Sequence, residues 1–130
     1  MSNASGQTSP PRVTRDVAAS VLKDLVEHPS RATVAFVEGG AVDLLPATAR
    51  QVAGQHAFGV LTGTAPDLDR REVVLVLDDG PYWFELRGVS VRGTAARIEP
   101  PTNATQVDLD WYGITPGRIL AWDYGRIRVE

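Results

Sequence analysis

The chain has 130 residues, 13 basic and 16 acidic, for a net charge of −3, with no cysteine and two histidines, His28 and His56. That length suits one domain able to bury roughly two thirds of its unfolded surface without a disulfide or a structural metal. The missing cysteines exclude zinc ribbons, iron–sulfur centres, thiol catalysis and disulfide scaffolds. The slight acidic balance does not advertise nucleic acid or an anionic membrane, and no apolar run approaches the ~20 residues of a membrane span. A soluble, cytoplasmic globular protein is the expectation. Lys23 is the only lysine, so arginine supplies nearly all the positive charge.

Residues 1–4 read as an expression remnant, and residues 5–11 are a Ser/Gly/Pro stretch without apolar period. The expected organisation is therefore a disordered leader over residues 1–13 and one domain over residues 14–130. Over residues 16–28, Val17, Val21 and Leu25 recur every four positions beside Ala18, Leu22 and Val26, the pattern of an amphipathic helix. Thr14 or Asp16 suits its cap and Pro29 its stop.

Beyond Pro29 the period falls to two. Residues 31–38 and 41–46 read as strands joined by a tight turn at Gly39-Gly40, and residues 58–62 as a third strand. Residues 47–55 fit a short helix or a loop equally well. Residues 72–78 carry five consecutive aliphatics, as in a strand covered on both faces. Turn chemistry over residues 78–81 leads into strands at 82–86 and 89–99, with Gly88 and Gly93 as bulge or close-approach points. Residues 100–105 form a polar loop, and residues 118–124 and 126–129 are further strand material. Many short strands with one N-terminal helix point to a mainly β, small antiparallel barrel with few short helices, its ligands at a mouth or subunit seam.

Familiar catalytic motifs are missing. No GxSxG elbow exists. Residues 59–64 (GVLTGT) lack the Gly-Lys-Ser/Thr ending of a P-loop, although the hydroxyls and N–H groups of such a turn can contact a phosphate. Residues 67–71 (DLDRR) read as a solvated charged loop, and residues 108–110 (DLD) as an exposed one. Neither histidine has a partner at ligand spacing. Tyr82-Trp83-Phe84, Trp111-Tyr112, Trp122 and Tyr124 alternate in direction if extended, so half of them face outward, toward a dimer partner or a planar ligand. Arg87 beside Gly88 is expected to pair with Glu85, to cross a dimer seam or to sit exposed.

Three segments, REVVLVLDDG (71–80), FELRGVSVRGTA (84–95) and WYGITPGRILAWDYG (111–125), together with GGAVDLLPATA (39–49), resemble the pyridoxamine 5′-phosphate oxidase-like split barrels. The resemblance runs from Asp16 to the C-terminus. It implies a split-barrel homodimer with flavin (FMN) or deazaflavin F420 sites at the seam and hydride transfer to a small substrate. It places Pro46, Ala47 and Thr48 near the ring. Thr62, Gly63, Arg71 and Arg70 then fall at the phosphate, and Trp122 at the far edge of the seam. No residue is assigned a catalytic role, which suits chemistry carried by the cofactor. The segment over residues 64–71 is short and acidic and lacks the family's phosphate-gripping lysine. A cofactor-free dimer acting as a binding or scaffold module is therefore the alternative. Haem lacks a well-placed histidine.

Overall fold

The computed structural model describes residues 13–14, 16–17, 23–27, 29, 31–79, 87–102, 104, 108–123 and 128–129. In chain order these form β1 (Val13–Thr14), β2 (Asp16–Val17), α1 (Lys23–Glu27), β3 (Arg31–Glu38), β4 (Ala41–Pro46) and β5 (Thr48–Val52). There follow β6 (Gln55–Leu61), β7 (Glu72–Asp79), β8 (Arg87–Arg97), β9 (Leu109–Asp123) and β10 (Arg128–Val129). The expected strands at residues 82–86 lie outside the described residues, as do His28 and most of residues 1–13. Val13, the last residue of the expected leader, pairs with Val129.

Seven strands pair antiparallel in the order β4-β3-β7-β8-β9-β6-β5, and β2 adds to β9. Gly39 and Gly40 both take positive φ (60° and 81°), the backbone that a two-residue turn between right-twisted strands requires. The sheet curls until its ends meet at one corner. β4 ends at Pro46, and the Ala47 N–H donates to the Ala32 carbonyl of β3 at 3.0 Å before β5 leaves in a new direction. The stretch left open between helix and loop, residues 47–55, is thus the corner and the edge strand of a split barrel.

The helix is shorter at its start than its apolar spacing suggests. Asp16 and Val17 pair with Trp122 and Ala121 instead, because β6 covers β9 only from Leu109 to Gly113 and leaves the later edge open. Unpaired strand N–H and C=O groups there outweigh the weak propensity of one more helical turn. Within α1, Leu25 is fully buried in the core.

The inner face is apolar throughout: Val34 and Phe36 of β3, Val73, Leu75 and Leu77 of β7, Val89, Val91 and Ala95 of β8, and Phe58 and Val60 of β6. β9 changes parity midway. Tyr112 and Ile114 point inward, then Ala121 does. The switch is a bulge in which Gly93 pairs with Pro116 and Arg92 with Arg118, leaving Gly117 over. One extra residue flips every later side chain to the other face.

Outward-facing aromatics are fewer than alternation suggests, since Trp111 and Tyr112 are both buried. Tyr112 enters the core and stacks on Phe58 at 5.4 Å, whereas Trp111, on the opposite face, lies flat over Gly59, whose missing side chain makes room. Trp122 does the same over Gly88. Trp111 and Tyr112 therefore face opposite sides of the sheet and are both shielded from solvent.

The bulge supplies a paired test. A β-carbon on Gly93 would overlap the Thr115 carbonyl oxygen, whereas one on Gly117 would meet only the Arg92 carbonyl at 3.7 Å. Gly93→Ala is expected to cost about 2 kcal/mol or more, and Gly117→Ala less than about 0.5 kcal/mol. Urea denaturation of both variants checks this, and equal costs would contradict the bulge geometry.

Candidate functional site

The corner at Ala47 makes a groove. Leu45, Pro46, Ala47 and Thr48 form one wall, and Gly59, Leu61, Thr64 and Leu109 the other, around a cavity of about 170 Å³. Three of the residues expected near a ring, Pro46, Ala47 and Thr48, thus stand together. The lining is apolar with small side chains, suited to the flat face of a planar ligand. Thr48 is shared with a larger, open cleft of about 1070 Å³ on its other side, bounded by Arg50, Gln51 and the loop at 99–102. That cleft is lined by polar and apolar groups about equally and rimmed by Glu27 and Glu99, so volume alone does not make it the better flavin site.

Thr62 and Gly63 follow β6 at the end of the groove, where φ is 87° at Gly63. The donors of this turn are engaged within the protein. The Thr62 N–H donates to the Asp108 carbonyl at 2.9 Å, and the Thr62 hydroxyl to Asp110 Oδ1 at 3.3 Å. The Thr64 N–H and hydroxyl both reach the Leu61 carbonyl, at 3.1 and 2.6 Å.

Neither expected phosphate arginine lines the groove. Arg71 turns toward β3, where its guanidinium meets Glu38 at 3.2 Å and the Val37 carbonyl at 3.4 Å. Arg70 sits in the left-handed region (φ 66°), which throws its side chain outward, 92% exposed and 3.9 Å from Asp69. Trp122 lies on the second half of β9, paired with Asp16, and does not line the groove either.

The cation beside the Thr62 turn is Arg97, at the end of β8. Its guanidinium lies 5.1 Å over the Tyr112 ring and reaches the Tyr112 hydroxyl (3.1 Å), Asp67 (3.3 Å) and Asp110 (3.4 Å). Its backbone N–H donates to Asp69 at 2.9 Å. The Tyr112 hydroxyl in turn accepts the Leu68 N–H at 3.2 Å. Residues 67–69 are therefore latched to β8 and β9 with Leu68 fully buried between two tied aspartates, while the Asp67 side chain still faces solvent. Asp67 is held below the usual carboxylate range, chiefly by the Asp69 N–H and then by Arg97, and burial pushes the Tyr112 phenol up. Asp110, expected in an exposed loop, belongs to β9 and joins the same cluster.

Arg87 resolves to a contact that spacing did not suggest. It bridges Asp79 (2.8 and 2.9 Å) and Asp24 of α1 (2.7 and 3.3 Å), pinning the helix to β7 and β8 within one chain. Glu85 lies outside the described residues. His56 has no carboxylate at hand. Its Nδ1 sits 3.1 Å from Gln51 Nε2, and burial pushes its pKa down.

Against a flavin phosphate the fit is therefore divided. The groove suits a ring, while the turn that the resemblance assigns to the phosphate has the Thr62 and Thr64 N–H and hydroxyl donors occupied and carboxylates around it. Arg97, the one cation there with a structured position, was hidden from sequence reasoning because its partners lie 13 to 30 residues away.

The sequence matches no family model and no curated protein. Solved structures match at the level of fold. One is the FAD binding protein from Mycobacterium smegmatis, at 16% identity and TM-score 0.66 over 82% of this chain and 96% of that one. A putative pyridoxamine 5′-phosphate oxidase from Corynebacterium glutamicum gives 14% identity and TM-score 0.62, over 85% and 96%. The FAD and heme binding protein from Mycobacterium smegmatis gives 15% identity and TM-score 0.63, over 85% and 73%. The chain thus has the split-barrel fold of the flavin-binding and pyridoxamine 5′-phosphate oxidase-like proteins, and the expected resemblance holds at that level. No helix among the described residues is long and apolar enough to cross a membrane.

His56 gives a pH dependence with a defined sign. Its folded pKa lies below its unfolded value near 6.5, so the folded state binds fewer protons. Its contribution is complete above that pH and is lost as pH falls through it. Urea midpoints at pH 7.5 and 5.5 should drop more for the native chain than for His56→Gln. Equal drops would contradict a desolvated neutral imidazole.

Proposed function

We propose that this protein is a flavin-type ring-binding split barrel working as a homodimer, with redox chemistry on a small molecule as its activity. The observation that carries the reading is the apolar groove at the Ala47 corner. It gathers Pro46, Ala47 and Thr48 on the fold shared with proteins described as binding FAD. A bound flavin supplies hydride transfer. The chain's part is to stack Pro46 and Ala47 on one side of the ring and Leu61 and Leu109 on the other, excluding water from it. FMN, F420 or another flavin form all present such a ring.

A groove of about 170 Å³ is below the roughly 300–1,000 Å³ of a complete small-molecule site, so one chain offers half a site. The second half is assigned to a second copy. Pro46 pairs with Thr33 and so shares the outer face that carries Val37 (60% exposed), Val42 (67%) and Leu44 (65%) beside Ala35, Val74 and Val76. A contiguous apolar sheet face of this kind marks an association surface. The five-aliphatic run of β7 was read as covered on both sides, and in a dimer it is.

Two tests follow. The untreated protein should absorb near the flavin bands or quench an added flavin with micromolar affinity. A colourless protein that leaves flavin fluorescence unchanged favours the cofactor-free binding module, a reading that the occupied donors of the Thr62 turn also support. Val42→Glu or Leu44→Glu should weaken the dimer by about 100-fold in sedimentation. An unaltered dimer, or a native monomer, contradicts the assigned seam.

A further inference from the structure

The phosphate end of the expected site departs from the family pattern in a way that selects the ligand. Thr62 uses both its N–H and its hydroxyl within the fold, and so does Thr64. Arg71 is held by Glu38, and Arg70 points into solvent. Arg97 is shared between Asp67 and Asp110. Around the turn stand Asp67, Asp69, Asp108 and Asp110, against Arg97 and the outward Arg70. A phosphate arriving there would displace internal hydrogen bonds and meet a cluster with more carboxylates than guanidiniums. The only other guanidinium close in sequence, Arg50, borders the larger cleft beyond Thr48 and does not line the groove.

We infer that this groove selects an uncharged planar ring and disfavours a phosphorylated one: a riboflavin-class ligand over FMN. The Arg97–Asp67–Asp110 latch stands where a phosphate grip is expected. The inference rests on the flavin reading above and adds to it the charge of the ligand. Because the Thr62 and Thr64 donors are taken and Arg97 is shared between two carboxylates, adding the phosphate brings repulsion with little compensating hydrogen bonding. The repulsion is partly screened, so it also weakens with salt.

The test titrates the native protein with riboflavin and with FMN, following flavin fluorescence at low and at physiological salt. Riboflavin should bind at least as tightly as FMN, with FMN weaker by roughly tenfold at low salt and the gap narrowing as salt rises. Asp110→Asn keeps the acceptor for the Thr62 hydroxyl while removing its charge, so it should move the FMN-to-riboflavin ratio toward unity. Asp67→Asn repeats the test if that variant does not fold. FMN binding tenfold tighter than riboflavin overturns the inference and leaves the flavin reading standing. Failure of both to bind overturns the flavin reading, and the inference with it.

Discussion

Arg97 ties down the loop between β6 and β7, and the character of the groove depends on it. A guanidinium over an aromatic face, with carboxylates on two of its nitrogens, satisfies charge and hydrogen bonding together. From the end of β8 it joins two further segments, residues 67–69 and the start of β9. Because of that tie, Leu68 fills the core and Tyr112 keeps its hydroxyl satisfied although its ring is buried. Without the tie, two aspartates would stand beside the Thr62 turn unneutralised. Each exposed pair alone contributes little. The shared geometry is what gives the cluster its weight.

The groove follows from two covalent accidents of position, Pro46 and Ala47. Proline ends β4 without an N–H to offer the next strand, and the Ala47 N–H closes the corner onto β3. Small side chains there leave the slot open, and behind Gly59 the Trp111 ring packs where a side chain would otherwise stand. The Trp111 Nε1 hydrogen is buried with no partner among the described residues, a cost that few buried donors in a native fold carry.

Much of the sheet was legible from period alone. The aliphatic run of β7, the Gly39-Gly40 turn and the tight points at Gly88 and Gly93 all reflect local rules of pleat and close approach, and they reappear in the structure. The N-terminal strand at Asp16 was not legible, because an edge left bare by a strand a hundred residues later decided it. Residues 47–55 were ambiguous because alanine, threonine and glutamine carry no period. At the site, Pro46, Ala47 and Thr48, neighbours in the chain, line one groove. Arg97, Asp110 and the helix anchor Arg87 are through-space partnerships that no spacing rule reports; Asp67 faces solvent as its charged run suggests, but its tie to Arg97 was hidden for the same reason.

In the proposed reading, the corner, the latch and the apolar outer face are one chain's share of a site: a slot for a flat ring, closed to a phosphate and bordered by the surface assigned to a second copy. The most direct measurement of that claim is an amide chemical-shift map of the protein as riboflavin is added. Shifts should gather at Ala47, Thr48, Leu61 and Leu109 and fade with distance from the corner. Shifts confined to Arg50, Gln51 and Thr102 in the larger cleft, or none at all, would contradict it.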